Sequence, residues 1–530
     1  MCSLGSLEWS ERQGPAQLTS VPTLHINDQQ MNLNMQHLVF SDLQWKKQVV
    51  QQFQRNPKFL PFQRCIASAT GRTSQKTRAI HTITTYQKDK KKDDPDKHLF
   101  CYTSGRWLWD EEEQLLDRYK AFNVSQLQTL AAQAIGSERC ESIIKLAEGG
   151  FNKVFRLEMN DGKTLLARIP NPNAGPAFYT TASEVATMEF ARDILQIPVP
   201  RVVGWSATSH NPVESEYILM EEARGSQLAT QWDELNSKAK LAIMREVVAI
   251  ETKMLSISFS HYGSVYFARD AVDGAVPAQI TSVASTTLQE KVLEKYTIGP
   301  SVERNFWKKE RSSMNISRGS SPMEYASSVG CREIKWIKKC AIPKASGDIT
   351  LVSTAQNNPK AHIDLLEKYL SVVPCLMDIN PQLKRATLWH SDLHSSNFFI
   401  ENNAITAVID WQGSWTGPPL LQAQPSPLID HQGSILLKRP DNFDDLDPQE
   451  QVEIKRQISK STLLQLYLME TERRNPSLAA AFNLDHGKTR RLAIELAGNT
   501  WDDEILSFRE SLINVQKFDP TFLIRDTGEA

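Results

Sequence analysis

The chain has 530 residues, of which 40% are hydrophobic and 23% charged, and its 60 basic and 62 acidic residues leave a formal net charge of −2. This composition is that of a globular chain with ample material for a core. The balanced charge argues against a nucleic-acid partner bound over the whole surface. No apolar run approaches the roughly 20 residues that a transmembrane segment needs. The seven cysteines form no CxxC pair, which fits a reduced compartment and indicates neither a disulfide framework nor a zinc site.

The N-terminal part of the chain is unevenly charged. Residues 46–88 carry nine Lys and Arg residues and no Asp or Glu. A basic, hydroxyl-rich stretch without acids is typical of a mitochondrial presequence; a generic disordered basic arm is the alternative. Acidic residues precede the stretch, so Met31 and Met35 are candidate internal starts. We predict a disordered arm over residues 1–96 that is read by the mitochondrial import machinery.

Residues 97–222 are predicted to form an N-terminal extension and a small β-rich lobe. The extension contains a helix from about Ser125 to Ala134, with Ser125 as its cap. Gly149 and Gly150 then allow close approach of backbone to phosphate, although two glycines are equally typical of a simple turn. The strand that follows carries one inward cation, Arg168, whose guanidinium suits phosphate.

An acidic helix and a second strand complete the predicted small lobe. In the helix over residues 181–192, Glu184 could pair with Arg168 and hold it over a nucleotide; Glu189 is the reserve candidate, and an exposed helix charge is the alternative for both. The apolar run 217–220 emerges into Glu221 and Glu222, as expected of a hinge whose backbone reads adenine. These residues complete the predicted nucleotide site.

The strongest motif lies in the C-terminal third, where His390-Ser391-Asp392-Leu393-His394-Ser395-Ser396-Asn397 precedes two short apolar runs and a second aspartate. Asp392 is expected to accept the proton of an attacking hydroxyl, and Asn397 and Asp410 to bind Mg²⁺ across the ATP phosphates. The apolar runs around residues 401–404 predict a β-hairpin that returns Asp410 to the loop. Each residue alone is more often a turn former or helix cap. Their order and spacing favour a phosphotransferase site.

Residues 223–429 are predicted to form a large helical lobe, and residues 430–530 a helical C-terminal extension. The first helix has one apolar face, and an insert over about 266–360 is expected to be a helical cap near the acceptor side. Asp447-Pro448-Gln449-Glu450 predicts the start of a helix. The apolar run 463–469 is expected to be buried. The apolar face comprises Leu241, Met244, Val248 and Leu255.

These motifs resemble the aminoglycoside phosphotransferase/choline kinase-like superfamily, and within it the fungal altered inheritance of mitochondria protein nine family. The resemblance covers about residues 100–518 and includes the segments TSGRWLWDEEEQL, KLAEGGFNKVF, TASEVATMEFAR, LWHSDLHSSNFFI and VIDWQGSWTGPPLLQA. It implies an α+β, protein-kinase-like two-lobed fold and a mitochondrial location, and it defines no acceptor. Arg168 departs from the usual Lys of that superfamily, and Gln412 from a frequent acid.

Two hypotheses follow. The first is a kinase-like phosphotransferase that moves the ATP γ-phosphate to a hydroxyl of an unknown small-molecule or protein acceptor, with ATP and Mg²⁺ as cofactors. The second is a nucleotide-binding pseudokinase that acts as an interaction module in mitochondrial maintenance. Asp392, Asn397 and Asp410 favour the first, whereas Arg168 keeps the second open.

Overall fold

The computed structural model describes residues 95–108, 110–314, 321–345, 347–348, 351, 353–429, 431, 434–503 and 505–518. The predicted arm over residues 1–96, with its presequence-like segment, lies outside the described residues apart from its last two. None of the described helices is long and apolar enough to cross a membrane.

The small lobe is built around a five-stranded antiparallel sheet with the strand order β1-β2-β3-β5-β4. Within the described residues, three helices precede the sheet, and one helix connects its third strand to its fourth. The elements are α1 (Lys97–Phe100), α2 (Glu111–Leu116), α3 (Val124–Ile135), β1 (Cys140–Glu148), β2 (Asn152–Met159), β3 (Thr164–Pro170), α4 (Tyr179–Asp193), β4 (Val202–Ser206) and β5 (Tyr217–Met220).

The two faces of this sheet have different neighbours. Phe155, Ala167 and Leu219 pair across three strands and form an apolar core with Leu127 of α3. Side chains alternate between the faces of a strand. Arg168, the next residue along β3, therefore points away from this core, towards α4 and the large lobe.

Helix α3 begins one residue earlier than predicted and has a different cap. The Asn123 side chain accepts a hydrogen bond from the Gln126 amide at 3.1 Å, which satisfies a free N–H of the first turn. The Ser125 hydroxyl donates to Asn123 Oδ1 at 2.9 Å. The assignment of Ser125 as cap was wrong, because Asn123 accepts the amide bond and Ser125 supports it.

The large lobe combines long helices with three small antiparallel sheets, whose strand orders are β13-β12-β6, β14-β11-β7 and β8-β10-β9. Its elements are β6 (Ser226–Gln227), α5 (Leu228–Gln231), α6 (Ser237–Ser256), β7 (Ser258–Phe259), β8 (Ser264–Phe267), β9 (Val276–Pro277), α7 (Thr286–Lys295), β10 (Tyr296–Gly299), α8 (Pro322–Cys340), α9 (Pro359–Leu376), β11 (Ala386–Trp389), β12 (Phe398–Glu401), β13 (Ala404–Val408), β14 (Trp415–Gly417) and α10 (Pro419–Gln422).

The predicted apolar face of α6 is present: Met244, Val248 and Leu255 are buried, and Leu241 is half-buried against the same core. The mixed architecture of a small antiparallel-sheet lobe and a largely helical lobe confirms the predicted α+β, protein-kinase-like two-lobed fold.

The insert over residues 266–360 is not the helical cap that was predicted. It contains α7 and α8 together with β9 and β10, and β10 pairs with both β8 and β9 in an antiparallel sheet. Tyr, Val, Phe and Ile in these strands favour a pleated, half-buried surface. Because the strands are short and the insert as a whole is polar, its overall composition does not reveal them. The segment 306–311 lies in short 3₁₀ turns, whereas 332–337 is helical, as predicted.

The C-terminal helices are α11 (Pro448–Arg474), α12 (Pro476–Phe482), α13 (Gly487–Leu496) and α14 (Ile505–Gln516). The predicted start of α11 is confirmed, because Asp447 accepts hydrogen bonds from the Gln449 and Glu450 amides. The predicted burial of 463–469 was wrong: Tyr467 is fully buried, but Met469 is 63% exposed. With 3.6 residues per turn, seven consecutive residues cannot share one face.

Candidate active site

The loop between β11 and β12 holds Asp392 and Asn397 close together. The Asn397 amide nitrogen donates to the main-chain oxygen of Asp392 at 2.8 Å and lies 3.4 Å from its Oδ2. Those contacts fix the amide, so that its oxygen is the group left to bind a ligand. The Asp392 side chain is 57% exposed and is accessible to a substrate in the cleft.

Two histidines support this loop. His390 Nε2 lies 2.9 Å from the Ile409 carbonyl and Nδ1 lies 3.2 Å from the Asp392 amide, so the neutral ring with its proton on Nε2 satisfies both partners. Burial lowers the pKa of His390, which agrees with this neutral form. His394 lies 3.4 Å from Asp392 Oδ2, and its hydrogen bond lowers the pKa of Asp392. Asp392 is therefore ionised at neutral pH.

The hairpin β12–β13 returns the chain to this loop, as predicted. Its two-residue turn has positive φ at Asn402 and Asn403 (52° and 63°), as a type I′ turn requires. The Ile409 amide then donates to the main-chain oxygen of Asn397 at 3.0 Å. Asp410 follows directly, in the left-handed region with φ 64°, and the two predicted metal ligands lie on neighbouring stretches of backbone.

Arg168 joins the two lobes at this point. Its Nη2 donates to Asp410 Oδ1 at 2.5 Å, and its Nη1 bonds to Glu184 on α4. Arg168 and Glu184 are both buried. Burial alone would raise the pKa of Asp410, but Arg168 outweighs burial and holds that pKa below its usual value. The reserve candidate Glu189 instead pairs with Lys295 of α7.

Gly149 and Gly150 form the turn between β1 and β2. The Gly149 amide donates to the Asn152 carbonyl at 2.9 Å. A Cβ added at Gly150 would meet no atom within 4 Å, and one at Gly149 would meet only the Asn152 carbonyl, at 3.9 Å. The protein therefore leaves open space at this turn.

The predicted hinge residues follow β5, and their side chains are tied to the small lobe. Glu221 lies 3.7 Å from Arg201. Glu222 accepts from Arg156 and from Thr164, each at 3.0 Å. Because both side chains are engaged in this way, an adenine ring at this segment would have to be recognised by the main chain.

Three further polar residues, which were not predicted as site residues from the sequence, also meet in the cleft. The side-chain amides of Asn152 and Gln412 pair across the two lobes at 3.0 Å. Arg304, from the insert, donates to Gln412 Oε1 at 3.3 Å, and its guanidinium lies 3.4 Å from the centre of the Phe151 ring. No local motif marks Arg304, because it enters the cleft from an insert far along the chain from the catalytic loop.

A cavity of about 300 Å³ adjoins the catalytic loop. It is walled by loop residues Ser391 and Leu393, by the insert and by α13, which brings the insert and the C-terminal helices to one place. Its aromatic walls and carboxylates are Phe306, Tyr325, Trp389, Trp415, Glu251, Glu303 and Glu495.

Comparisons with known proteins agree with this geometry. A family model described as the phosphotransferase enzyme family matches residues 353–421. A subtelomeric hrmA-associated cluster protein of Aspergillus fumigatus is 33% identical over an alignment of 415 positions that covers 71% of this chain and 79% of that protein. The Saccharomyces cerevisiae protein altered inheritance of mitochondria protein 9, mitochondrial, is 24% identical over an alignment of 531 positions that covers 86% of this chain and 83% of its own length.

The chain belongs to the same family as this Aspergillus fumigatus protein, and it is similar to altered inheritance of mitochondria protein 9 of several yeasts. These matches confirm the resemblance predicted from the motifs and place the chain in the kinase-like phosphotransferase superfamily. The Saccharomyces cerevisiae member of the altered inheritance of mitochondria protein 9 family is named as mitochondrial, and the predicted mitochondrial location is thereby confirmed. Among solved structures, the apo form of a thermostable mutant of aminoglycoside phosphotransferase APH(4)-Ia is 15% identical, with a TM-score of 0.36, covering 74% of this chain and 99% of that one.

Proposed function

We propose that the chain transfers the ATP γ-phosphate to a hydroxyl of an acceptor in mitochondria. The observation that carries the proposal is the convergence of Asn397 and Asp410, which the hydrogen bond from the Ile409 amide to the Asn397 carbonyl brings together, beside the exposed carboxylate of Asp392. Positioned charge of this kind is what phosphoryl transfer requires. In this proposal Gly149 and Gly150 approach the phosphates, and the main chain at Glu221 and Glu222 binds adenine.

The residues present fit a magnesium ion. Asn397 and Asp410 offer amide and carboxylate oxygens, the hard ligands that Mg²⁺ prefers. In the described part of the chain, no cluster of three or more His, Cys, Asp or Glu could hold a metal ion, so phosphate oxygens and water would complete the coordination shell. When bound, the ion supplies positive charge that neutralises the phosphates.

Asp392 is the residue that we assign as the base for the acceptor hydroxyl. As the new bond from the acceptor oxygen to the γ-phosphorus forms, the bond from that phosphorus to the β–γ bridging oxygen breaks and ADP leaves. The lowered pKa of Asp392 keeps its carboxylate ionised. That carboxylate accepts a hydrogen bond from the acceptor hydroxyl and then takes the hydroxyl proton. The hydrogen bond from the Asn397 side-chain amide to the main-chain oxygen of Asp392 keeps the Asp392 carboxylate in position.

The cavity beside Ser391 is assigned to the acceptor. Its aromatic walls, together with the carboxylate of Glu495, whose side chain is 48% exposed, favour a small molecule that carries a hydroxyl and a positive charge.

The pseudokinase remains the second candidate, favoured by one observation. Both terminal nitrogens of Arg168 are engaged by carboxylates, and Asp410 must give up part of this contact to bind a metal ion. If the contact persists with nucleotide, the chain binds nucleotide without transfer and serves as an interaction module.

One experiment separates the two candidates and searches for the acceptor. The full chain is incubated with Mg²⁺, ATP labelled at the γ-phosphate and a small-molecule extract of mitochondria, and labelled products are separated by charge. The proposal predicts a labelled metabolite with wild type and none with Asp392→Asn. Label that remains in ATP in both samples, although both proteins bind ATP, would favour the interaction module.

A further inference from the structure

Arg304 occupies an unusual position for a residue of the insert. It begins a single 3₁₀ turn, Arg304–Phe306, and its side chain crosses to the turn between β1 and β2. There it stacks on Phe151, directly after Gly149 and Gly150. On its other side it reaches Gln412, two residues after Asp410. Arg304 thus lies between the glycine turn and the predicted metal ligand.

The guanidinium of Arg304 has neutral partners. They are the Phe151 ring, Gln412 Oε1 at 3.3 Å and the Ala174 carbonyl at 3.4 Å, both at the long end of hydrogen-bond distances. Within the described ranges, no carboxylate lies within ion-pair distance of it. The side chain is half-buried, and a cation removed from water without an anionic partner is unfavourable.

Arg168 is in the opposite situation. Its two terminal nitrogens bond to Glu184 and Asp410, so its single positive charge faces two carboxylates. The cation that the sequence assigned to phosphate is therefore already committed to protein groups. Among the residues that the structure describes, Arg304 is the cation of this cleft whose guanidinium is still able to bind an anion.

We infer that Arg304 is the cation that binds the terminal phosphate of the nucleotide in this cleft. The inference rests on the proposed function. Its planar fork can donate two parallel hydrogen bonds to phosphate oxygens, in exchange for its long bonds to Gln412 and Ala174. Stacking on Phe151 would then hold the glycine turn over the bound phosphates.

Nucleotide binding tests this role without any turnover. Calorimetry of the full chain with Mg²⁺ compares AMP-PNP, which keeps a γ-phosphate, with ADP, which lacks one. We expect wild type to prefer AMP-PNP. Arg304→Gln should lose about tenfold to hundredfold in AMP-PNP affinity, the range of a lost charged hydrogen bond, and much less in ADP affinity. Arg269→Gln is the matched control, since Arg269 also stacks on an aromatic ring, Phe267, but lies outside the cleft.

The outcomes are distinct. Equal preference for AMP-PNP over ADP in Arg304→Gln and wild type overturns the role of Arg304 and leaves the proposed function standing. Failure of wild type to bind either nucleotide overturns the proposed function and the inference with it. If Arg304→Gln does not fold, Arg304→Lys replaces it: the lysine keeps the charge without the fork, a severalfold loss of AMP-PNP preference is expected, and an unchanged preference contradicts the inference.

Discussion

Arg168 stands where a lysine is usual in this superfamily, and this difference changes the contacts that hold the site together. A lysine presents a single ammonium group, whereas the guanidinium of Arg168 spans from Glu184 to Asp410 with separate nitrogens. The geometry suits a bridge between the small-lobe helix α4 and the large-lobe Asp410. Arg and Lys are therefore not interchangeable here.

The first prediction concerns the stability of this bridge. Glu184 is 3% exposed, so Arg168→Ala leaves a buried carboxyl without its partner. We expect a loss of about 3 kcal/mol in the free energy of unfolding, typical of a broken buried pair, measured by urea denaturation. Arg168→Ala with Glu184→Gln should recover most of it. A loss no larger than that of the exposed control Arg269→Ala would contradict the bridge.

The second prediction concerns Asp410. Its φ of 64° lies in a region that Asn tolerates better than Ala, so Asp410→Asn is the variant least confounded by backbone strain. Because Asn lacks the charge that draws Mg²⁺, we expect ATP affinity to gain little from added Mg²⁺ in this variant and much in wild type. Calorimetry in Mg²⁺ and in EDTA measures both. The same gain in both proteins would remove Asp410 from the metal site.

The candidate site could be anticipated where its residues are close in sequence. Asp392, Asn397 and Asp410 fall within one loop and one hairpin, whose short turn determines their return path. Arg304 could not be anticipated, because its approach to Phe151 depends on how the insert folds over the small lobe, and no local periodicity encodes that packing.

At the scale of elements, prediction succeeded where the pattern was local and strong. The hairpin β12–β13 and the start of α11 both depend on turn or cap residues within a few positions. The strands β9 and β10 were missed because they are two and four residues long and depend on pairing within the sheet, β10 with β8 and β9 with β10. The cap of α3 was misassigned because Asn123 and Ser125 are both good capping residues.

The contact between α6 and α11 leads to the third prediction. Glu251 is fully buried, and its carboxyl oxygens are each 3.0 Å from the Tyr467 hydroxyl. Burial raises the pKa of Glu251 to about 8, from an ordinary 4.5. The folded chain keeps this proton to higher pH than the unfolded chain does. The contribution of Glu251 to stability is therefore full below about pH 4.5 and is lost as pH rises towards about 8.

Glu251→Gln keeps the shape of the side chain and removes its titration. Between about pH 6 and 8 we expect wild type to lose about 2 kcal/mol of stability more than the variant does, as thermal unfolding across that range would record. Other buried carboxyls, such as Glu184, titrate in both proteins and cancel in the difference. Parallel stability curves for the two proteins would show that Glu251 is already ionised at pH 6.

At the scale of the whole molecule, the described residues form two lobes whose cleft collects residues from distant parts of the chain. Strand β3 provides Arg168, the insert Arg304 and the catalytic loop Asp392. The cleft therefore depends on the packing of the lobes as well as on each motif.

The fourth prediction concerns delivery to mitochondria. The predicted presequence-like segment 46–88 lies outside the described residues, and its role remains a prediction. A reporter fused to residues 35–95 should enter mitochondria, because positive charge and apolar side chains draw such segments to the import machinery. Neutralising four arginines together should leave it in the cytosol. The four are Arg55, Arg64, Arg72 and Arg78.

Failure of the native fusion to enter mitochondria would mean that the targeting signal lies elsewhere in the chain. If residues 1–45 must be present for import, the internal-start interpretation is wrong.

Phosphoryl transfer with Asp392 as base can be tested by a paired measurement on wild type and Asp392→Asn. Mg²⁺-dependent ATP consumption is followed with the mitochondrial extract as acceptor source, and ATP affinity is measured on the same preparations. Since general-base assistance contributes about 10²–10⁴-fold, we predict that Asp392→Asn loses at least a hundredfold in rate while its ATP affinity stays within a few-fold of wild type. Equal rates of ATP consumption in the two proteins would contradict the account.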